Sequence, residues 1–213
     1  MQSLDITAGT RPGGRRRARG IAVVGFGSLI WKPGSGSRML NLSSKWRRDG
    51  PLLRVEYSRV SSDRRLTLVI VPDAQPQRTL WAYSGCDTVR EARENLRVRE
   101  GKGVLTEEIG LWTAGSDHEI DEDATAISRW AGEKGLEAVV WSRLPPKDRD
   151  GGRTVMSAEQ ALEYLSRLRG EDRRLAEEYV KMTPAQINTE VRKVARERLG
   201  WVDYPLPQDL FEN

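Results

Sequence analysis

Short apolar runs rich in β-branched residues occupy most of the first two thirds of the chain. The run at 20–25 predicts a short buried strand, and the alternating residues Leu66, Leu68 and Ile70 predict a half-buried one. Extended structure is also predicted for three further segments of similar composition, which are residues 52–62, 79–85 and 136–146. The first part of the chain is therefore predicted to supply a sheet.

Helical spacing of apolar residues first occurs after these early strands. The segment 87–100 predicts a helix that is capped by Asp87 and stopped by Gly101. Residues 121–135 predict a second helix, placed just before the last predicted strand. Strands and helices thus share the middle of the chain.

The C-terminal third, residues 157–213, is predicted to be helical. Capping-box patterns occur at 157–160 and at 183–186, and Pro184 would stand at the first position of a helix, where proline is favoured. The sequence has no internal repeat and no clear domain boundary. It predicts an α+β fold with one domain over residues 21–213.

The strand at 20–25 runs into a glycine turn of the form G-x-G. A dinucleotide-binding Rossmann motif needs a third glycine and a helix directly after the turn. The third glycine position holds Ile30, and the proline and two glycines within 33–36 are incompatible with a helix there. The dinucleotide interpretation is therefore rejected.

The same turn has two remaining interpretations. Successive backbone amides of Gly27, Ser28 and Leu29 at the end of a buried strand would form a concavity suited to a carboxylate or another anion. Alternatively, the segment is an ordinary tight turn. The local pattern leaves both open.

One acidic residue falls on the apolar side of the helix predicted at 87–100. Val89, Ala92 and Leu96 form the apolar stripe, and its next position is Glu100. A carboxylate in the last turn faces the negative end of the helix dipole, and burial also disfavours its charge. Both effects raise its pKa, which suits a general acid or base. The alternative is a terminal glutamate paired with a nearby arginine.

The chain contains a single cysteine, Cys86, and a single histidine, His118. One thiol forms no disulfide within the chain, and these two residues cannot build the usual zinc sites. A Ser-His-Asp or Cys-His site could run only through His118, which lies in a predicted solvated acidic loop. We therefore expect chemistry based on carboxylates, hydroxyls, arginines or backbone amides, with no metal.

The excess of positive charge belongs to the N-terminal tail. Residues 1–20 hold five arginines and one aspartate, a net of +4, which equals the formal net charge of the whole chain. The tail is interpreted as a disordered leader. Alternatively, the tail makes a weak, nonspecific contact with nucleic acid or an acidic partner through its charge. Because the remaining chain is neutral overall, it would add little to such binding.

The expected location is the cytoplasm. An arginine cluster precedes the apolar residues 21–31, as in twin-arginine export peptides, but this run contains a glycine turn and no small-residue cleavage site follows it. No segment approaches the roughly 18 apolar residues of a membrane span. The single cysteine fits a reducing compartment.

Two motifs resemble those of a known family. The segment VVGFGSLIWKPG at 23–34 resembles the glycine turn of γ-glutamylcyclotransferase-like proteins, most of all the glutathione-degrading ChaC type. The segment LRVREG at 96–101 resembles the end of the family's helix that carries its catalytic glutamate, here Glu100. About seventy residues separate turn and acid, as in the family. The likeness covers about residues 21–105, with a weaker match in the strand after 136.

The resemblance implies a small curved or barrel-like mixed sheet with flanking helices, and a cavity between the turn and the acid. It implies intramolecular aminolysis of a γ-glutamyl amide or peptide, which releases 5-oxoproline and an amine and needs no cofactor. Glu100 would be the catalytic acid/base. Substrate binding would fall to Phe26, Gly27, Ser28, Leu29 and Trp31.

The sequence departs from the family in two places. Phe26 replaces the usual tyrosine, and the segment after Glu100 lacks the expected tyrosines, so the choice of γ-glutamyl substrate stays open. The alternative is a noncatalytic small-molecule-binding or interaction protein on the same fold. A Glu100 locked by Arg93 or Arg99 would favour that alternative. Homodimer formation and the role of the C-terminal helices also stay open.

Overall fold

The computed structural model describes residues 20–116 and 121–212 as a mixed α+β protein, and the predicted fold class is confirmed. Its strands are β1 Ile21–Gly25, β2 Leu52–Val60, β3 Leu66–Ile70, β4 Pro76–Arg78, β5 Leu80–Tyr83, β6 Ile109–Thr113 and β7 Ala138–Ser142. Its α-helices are α1 Val89–Glu100, α2 Glu122–Lys134, α3 Ala158–Arg167, α4 Gly170–Met182 and α5 Glu190–Leu199.

The first sheet has four strands in the order β5-β1-β7-β6. The central strands β1 and β7 are parallel, and each pairs antiparallel with its outer neighbour. Every residue of β1 and of β7 is buried, which explains their continuous apolar sequences. The turn that follows β1 is therefore held on a rigid, fully buried strand.

The second sheet has three antiparallel strands in the order β3-β2-β4. The loop after β7 runs beside β2, where the amide of Val60 donates to the carbonyl of Lys147 at 2.7 Å. Within residues 20–116 and 121–212 the two sheets remain separate and do not close into a barrel. Of the two predicted shapes, a closed barrel is therefore not formed.

The helices cover both sheets and share one hydrophobic core with them. Helix α1 packs on β6 and β7, and α2 packs on β2. The C-terminal helices dock on the second sheet, with α4 against β3 and α5 against β2. None of the described helices is both long and apolar enough to span a bilayer.

Two expectations about helix starts were wrong. Helix α1 is capped by Thr88 and not by Asp87, because the Thr88 hydroxyl accepts from the amide of Glu91 while the Glu91 carboxylate accepts from the amide of Thr88. The second error concerns 183–186, where no helix begins. Helix α5 starts at Glu190 after the capping residue Thr189.

A buried arginine explains why the 183–186 pattern does not start a helix. The guanidinium of Arg192 donates hydrogen bonds to the carbonyls of Thr183, Pro184 and Ile187, and these bonds fix the segment as a turn. The side-chain amide of Gln186, expected to complete the capping box, donates instead to backbone carbonyls at the end of β4 and in the loop before β2. Long-range contacts override the local pattern.

Some sequence predictions concern residues that the structure does not describe, and some helices and strands of the structure were not predicted. The loop around His118 and the tail at 1–19 lie outside the described residues. Strands β4 and β6 were not predicted, and the helical region after residue 157 was not resolved into the separate helices α3 and α4.

The turn before α5 depends on Arg192, so we expect Arg192→Met to destabilise the protein strongly. Its fully buried guanidinium also pairs with Asp203 at 3.0 Å, and the substitution leaves the buried carbonyls of Thr183 and Ile187 without this donor and Asp203 with Arg196 as its remaining ion-pair partner among the described residues. The expected loss in the free energy of unfolding is about 3 kcal/mol, measured by urea denaturation.

Arg196→Met is the matched control for Arg192→Met. Arg196 pairs with the same Asp203 at 3.1 Å but is partly exposed, so its loss should cost less than about 1 kcal/mol. Equal losses in the two variants would show that the buried carbonyl contacts of Arg192 contribute nothing.

Candidate functional site

A cavity of about 560 Å³ lies where the turn after β1, the end of α1, the β2–β3 hairpin and the loop after β7 meet. It brings together five of the six residues that were predicted to form the site, although turn and acid are far apart in sequence. These are Phe26, Gly27, Ser28, Leu29 and Glu100.

The glycine turn leaves amide donors near the cavity. Its own hydrogen bonds use carbonyls, since Ile30 N–H donates to Gly27 O at 3.1 Å and Lys32 N–H donates to Ser28 O at 2.7 Å. In the described part of the chain, no backbone carbonyl accepts from the amide of Gly27, Ser28 or Leu29, and the Ser28 amide faces the hydroxyl oxygen of Tyr179. The turn therefore has the donor arrangement that an anion requires.

A tyrosine that the sequence analysis did not single out completes this part of the cavity. Tyr179 extends from α4 to the turn, where its hydroxyl oxygen lies so close to Gly27 that a Cβ on that residue would overlap it. The amide of Leu68 donates to the same oxygen at 3.4 Å. Burial raises the pKa of Tyr179 to about 12, so the hydroxyl keeps its proton at neutral pH.

The helical spacing of buried residues on α4 could have indicated Tyr179. Ala176, Tyr179 and Val180 are all buried and lie on one face of the helix. The pattern identifies the inward face but not what that face meets, because the partner segments lie more than a hundred residues earlier in the chain.

Glu100 lies at the C-terminal end of α1 and lines the cavity. The stripe that predicts its position is correct, since Ala92 and Leu96 are buried. Burial raises the pKa of Glu100, while the charges of Arg99 and Arg59 and the hydroxyl of Ser142 act in the opposite direction. The cavity therefore favours a proton on this carboxyl more than water does.

The two arginines that could have locked Glu100 are engaged elsewhere. The guanidinium of Arg93 donates twice to Ile109 O, at 2.9 and 2.7 Å. Arg99 donates to Lys32 O and lies 3.5 Å from both oxygens of Ser28. Among the described residues, Glu100 has no ion pair within 4.0 Å. Its carboxylate is thus available to a ligand.

Trp31 is the one predicted site residue that does not line the cavity. Its ring packs edge-to-face on Tyr179, with ring centroids 5.4 Å apart. The prediction of direct substrate binding by Trp31 is therefore not met by its position. The indole instead contacts the ring of Tyr179, which does line the cavity.

The cavity lining is strongly cationic. Six basic side chains line it, against the two carboxylates of Asp63 and Glu100, and one of the six, Arg65, pairs with Asp63 at 2.6 Å. The others are Arg38, Arg59, Arg99, Lys102 and Lys147. This excess attracts negatively charged ligands into a partly water-excluded space.

Comparisons with protein-family models, with curated proteins and with solved structures found no match for this chain. Within residues 20–116 and 121–212, no group of three histidine, cysteine or acidic side chains is placed to hold a metal ion. The resemblance to the cyclotransferase-like family accordingly rests on the turn and helix-end motifs.

Because Tyr179 occupies the space beside Gly27, we expect Gly27→Ala to destabilise the protein by about 1–3 kcal/mol. The penalty should be smaller when Tyr179→Phe removes the hydroxyl oxygen, since the next ring atom would lie at an ordinary 3.5 Å from the new Cβ. A double-mutant cycle of unfolding free energies measures this coupling.

Gly132→Ala is the control for this cycle. Gly132 lies in α2 with open space around its Cβ position, so alanine should stabilise the protein by about 0.5–1 kcal/mol. An equal penalty for Gly27→Ala in both Tyr179 backgrounds would contradict the role given to the hydroxyl.

Proposed function

We propose that this protein is a γ-glutamyl cyclotransferase, which cyclises a γ-glutamyl amide or peptide to 5-oxoproline and releases an amine. The observation that carries the proposal is the presence, in one cavity, of an unpaired carboxylate with a raised pKa and a turn with available amides. The resemblance of both motifs to the cyclotransferase-like family supports the same reaction.

In this proposal the turn binds the glutamyl head of the substrate. Backbone amides of Gly27, Ser28 and Leu29 donate to its α-carboxylate, and the nearby Arg99 adds positive charge. Anchoring the head lets the substrate fold so that its own α-amine approaches its γ-carbonyl carbon. The site then contributes mainly by holding this ring-like geometry.

Glu100 acts as the general base and then as the general acid. Its carboxylate takes a proton from the α-ammonium, and the free amine attacks the γ-carbonyl carbon to form the lactam C–N bond. The bond from that carbon to the leaving nitrogen breaks as Glu100 returns a proton to it. Overall, two protons pass from the attacking to the leaving nitrogen, which departs as ammonium, and none is consumed.

Tyr179 is suited to stabilise the charge that develops on the γ-carbonyl oxygen. Its hydroxyl is protonated at neutral pH and lies at the same turn that would hold the glutamyl head. A fixed donor in a partly dry site stabilises an oxyanion more than water does. The C-terminal helix α4 would thereby contribute directly to the reaction.

The proposed partner is a small γ-glutamyl compound in the cytoplasm. A single cysteine, Cys86, agrees with a reducing compartment, where thiols stay reduced. The described cavity supplies acid/base and anion-binding groups that suit this substrate without a cofactor.

The first test is release of 5-oxoproline from glutathione and a panel of γ-glutamyl dipeptides and amides. We expect product with the wild type and a loss of at least about 10²-fold in kcat/KM with Glu100→Gln, because the general acid/base is removed. Glu100→Gln should be no less stable than the wild type, since it removes a charge that burial disfavours.

Glu94→Gln is the matched control, since Glu94 lies on the exposed side of the same helix and pairs with Arg97. It should retain kcat/KM within about twofold. Equal activity of Glu100→Gln and the wild type would remove Glu100 from the mechanism. Binding of the panel without any product would favour the noncatalytic binding protein.

A second test uses the pH dependence of kcat/KM. Activity should fall as the pH drops through the raised pKa of Glu100, because the protonated carboxyl cannot accept the substrate proton. The Ser142 hydroxyl lowers this pKa, so Ser142→Ala should move the acid limb to higher pH. An unchanged limb, or one moved to lower pH, would show that it reports another group.

A further inference from the structure

The cavity lining carries more positive charge than the glutamyl head of the substrate needs for binding. At neutral pH that head carries one carboxylate and one ammonium group, and is therefore neutral overall. Five of the six basic side chains around the cavity have no carboxylate within 4.0 Å in the described part of the chain. A ligand with a further negative group would interact favourably with them.

Arg59 is the clearest of these uncompensated cations. It is partly buried near the end of β2, and its guanidinium makes one hydrogen bond with the described residues, to Pro145 O at 2.8 Å. Burial lowers the pKa of Arg59, which reflects the loss of water around its charge. The carboxylates of Glu108 and Glu100 offset part of this effect, but among the described residues no carboxylate lies within 4.0 Å of the guanidinium, which leaves it open to pairing with a ligand anion.

Lys147 lies directly beside Arg59 on another segment. The loop after β7 is held along β2, because Lys147 N–H donates to Ser58 O at 2.9 Å and Val60 N–H donates to Lys147 O at 2.7 Å. Both basic side chains line the same cavity. A ligand of opposite charge in this part of the cavity would interact favourably with both of them.

We propose that Arg59 and Lys147 form an anion subsite for the leaving half of the substrate, and that this half carries at least two negative charges. The inference rests on the proposed cyclotransferase function, in which turn and Glu100 hold the other half. A γ-linked acidic amino acid has the required chemistry, because a leaving glutamate bears an α- and a γ-carboxylate. Neutral amines leave the subsite empty.

The experiment compares γ-glutamylglutamate with γ-glutamylglutamine, which has the same shape and one negative charge less. We expect kcat/KM for 5-oxoproline release to be about tenfold higher for the glutamate compound, the size of one charge-assisted hydrogen bond. The preference should shrink as sodium chloride is raised, because the subsite opens to solvent.

Lys147→Gln tests the residue directly. It should reduce the preference for γ-glutamylglutamate over γ-glutamylglutamine to about twofold or less, because the subsite loses one of its two charges. Lys45→Gln removes the same charge from an exposed position outside the cavity and should keep the full preference. Arg59→Gln should also reduce the preference. Because the charge of Arg59 lowers the pKa of Glu100, this variant should additionally move the acid limb of the pH profile of kcat/KM to higher pH.

The outcomes separate this inference from the function on which it rests. Equal turnover of the two dipeptides by the wild type would overturn the subsite and leave the cyclotransferase intact. If the wild type turns over neither dipeptide, calorimetric titration with both of them tests the subsite on its own. Tighter binding of the glutamate compound, lost in Lys147→Gln, supports the subsite while the reaction fails, and equal or no binding overturns the subsite.

Discussion

The contact of the Tyr179 hydroxyl with the glycine turn is the constraint on which the candidate site depends. It joins three segments that are distant in sequence, namely the turn after β1, the middle of β3 through the amide of Leu68, and α4. Two hydrogen bonds fix the backbone of the tyrosine. The Tyr57 hydroxyl donates to the hydroxyl oxygen of Thr183 at 2.7 Å, and the Thr183 hydroxyl donates to the backbone carbonyl of Tyr179 at 3.0 Å. The C-terminal helices are therefore part of the cavity wall.

The cavity gathers charges that do not favour folding. A carboxyl with a raised pKa and a guanidinium without a carboxylate partner both lie partly buried there, at Glu100 and Arg59. The fully buried strands β1 and β7 offset this cost with apolar contacts. Unfavourable electrostatics concentrated in one cavity are typical of sites that act on a ligand, because the ligand supplies the missing partner.

Local patterns in the sequence were sufficient to predict most of the helices and strands and part of the candidate site. Buried strands and the inward direction of Glu100 each follow from a few neighbouring residues, whereas the local pattern of the glycine turn left an anion-binding concavity and an ordinary tight turn both open. The contact of Tyr179 with the turn and the neighbouring positions of Arg59 and Lys147 could not be predicted, because they arise only when α4 and the loop after β7 pack on the second sheet. The error at 183–186 has the same origin, since a buried arginine nine residues later uses the carbonyls of that segment.

The phenylalanine at position 26 illustrates how the fold can relocate a chemical group. Its ring is buried and lines the cavity, but it offers no hydroxyl to a ligand. A phenol group nevertheless lies at the same turn, carried by Tyr179 from the other end of the chain. Because a hydrogen-bond donor is defined by where its atom lies and not by its place in the sequence, a turn that carries phenylalanine can still have a phenol donor beside it.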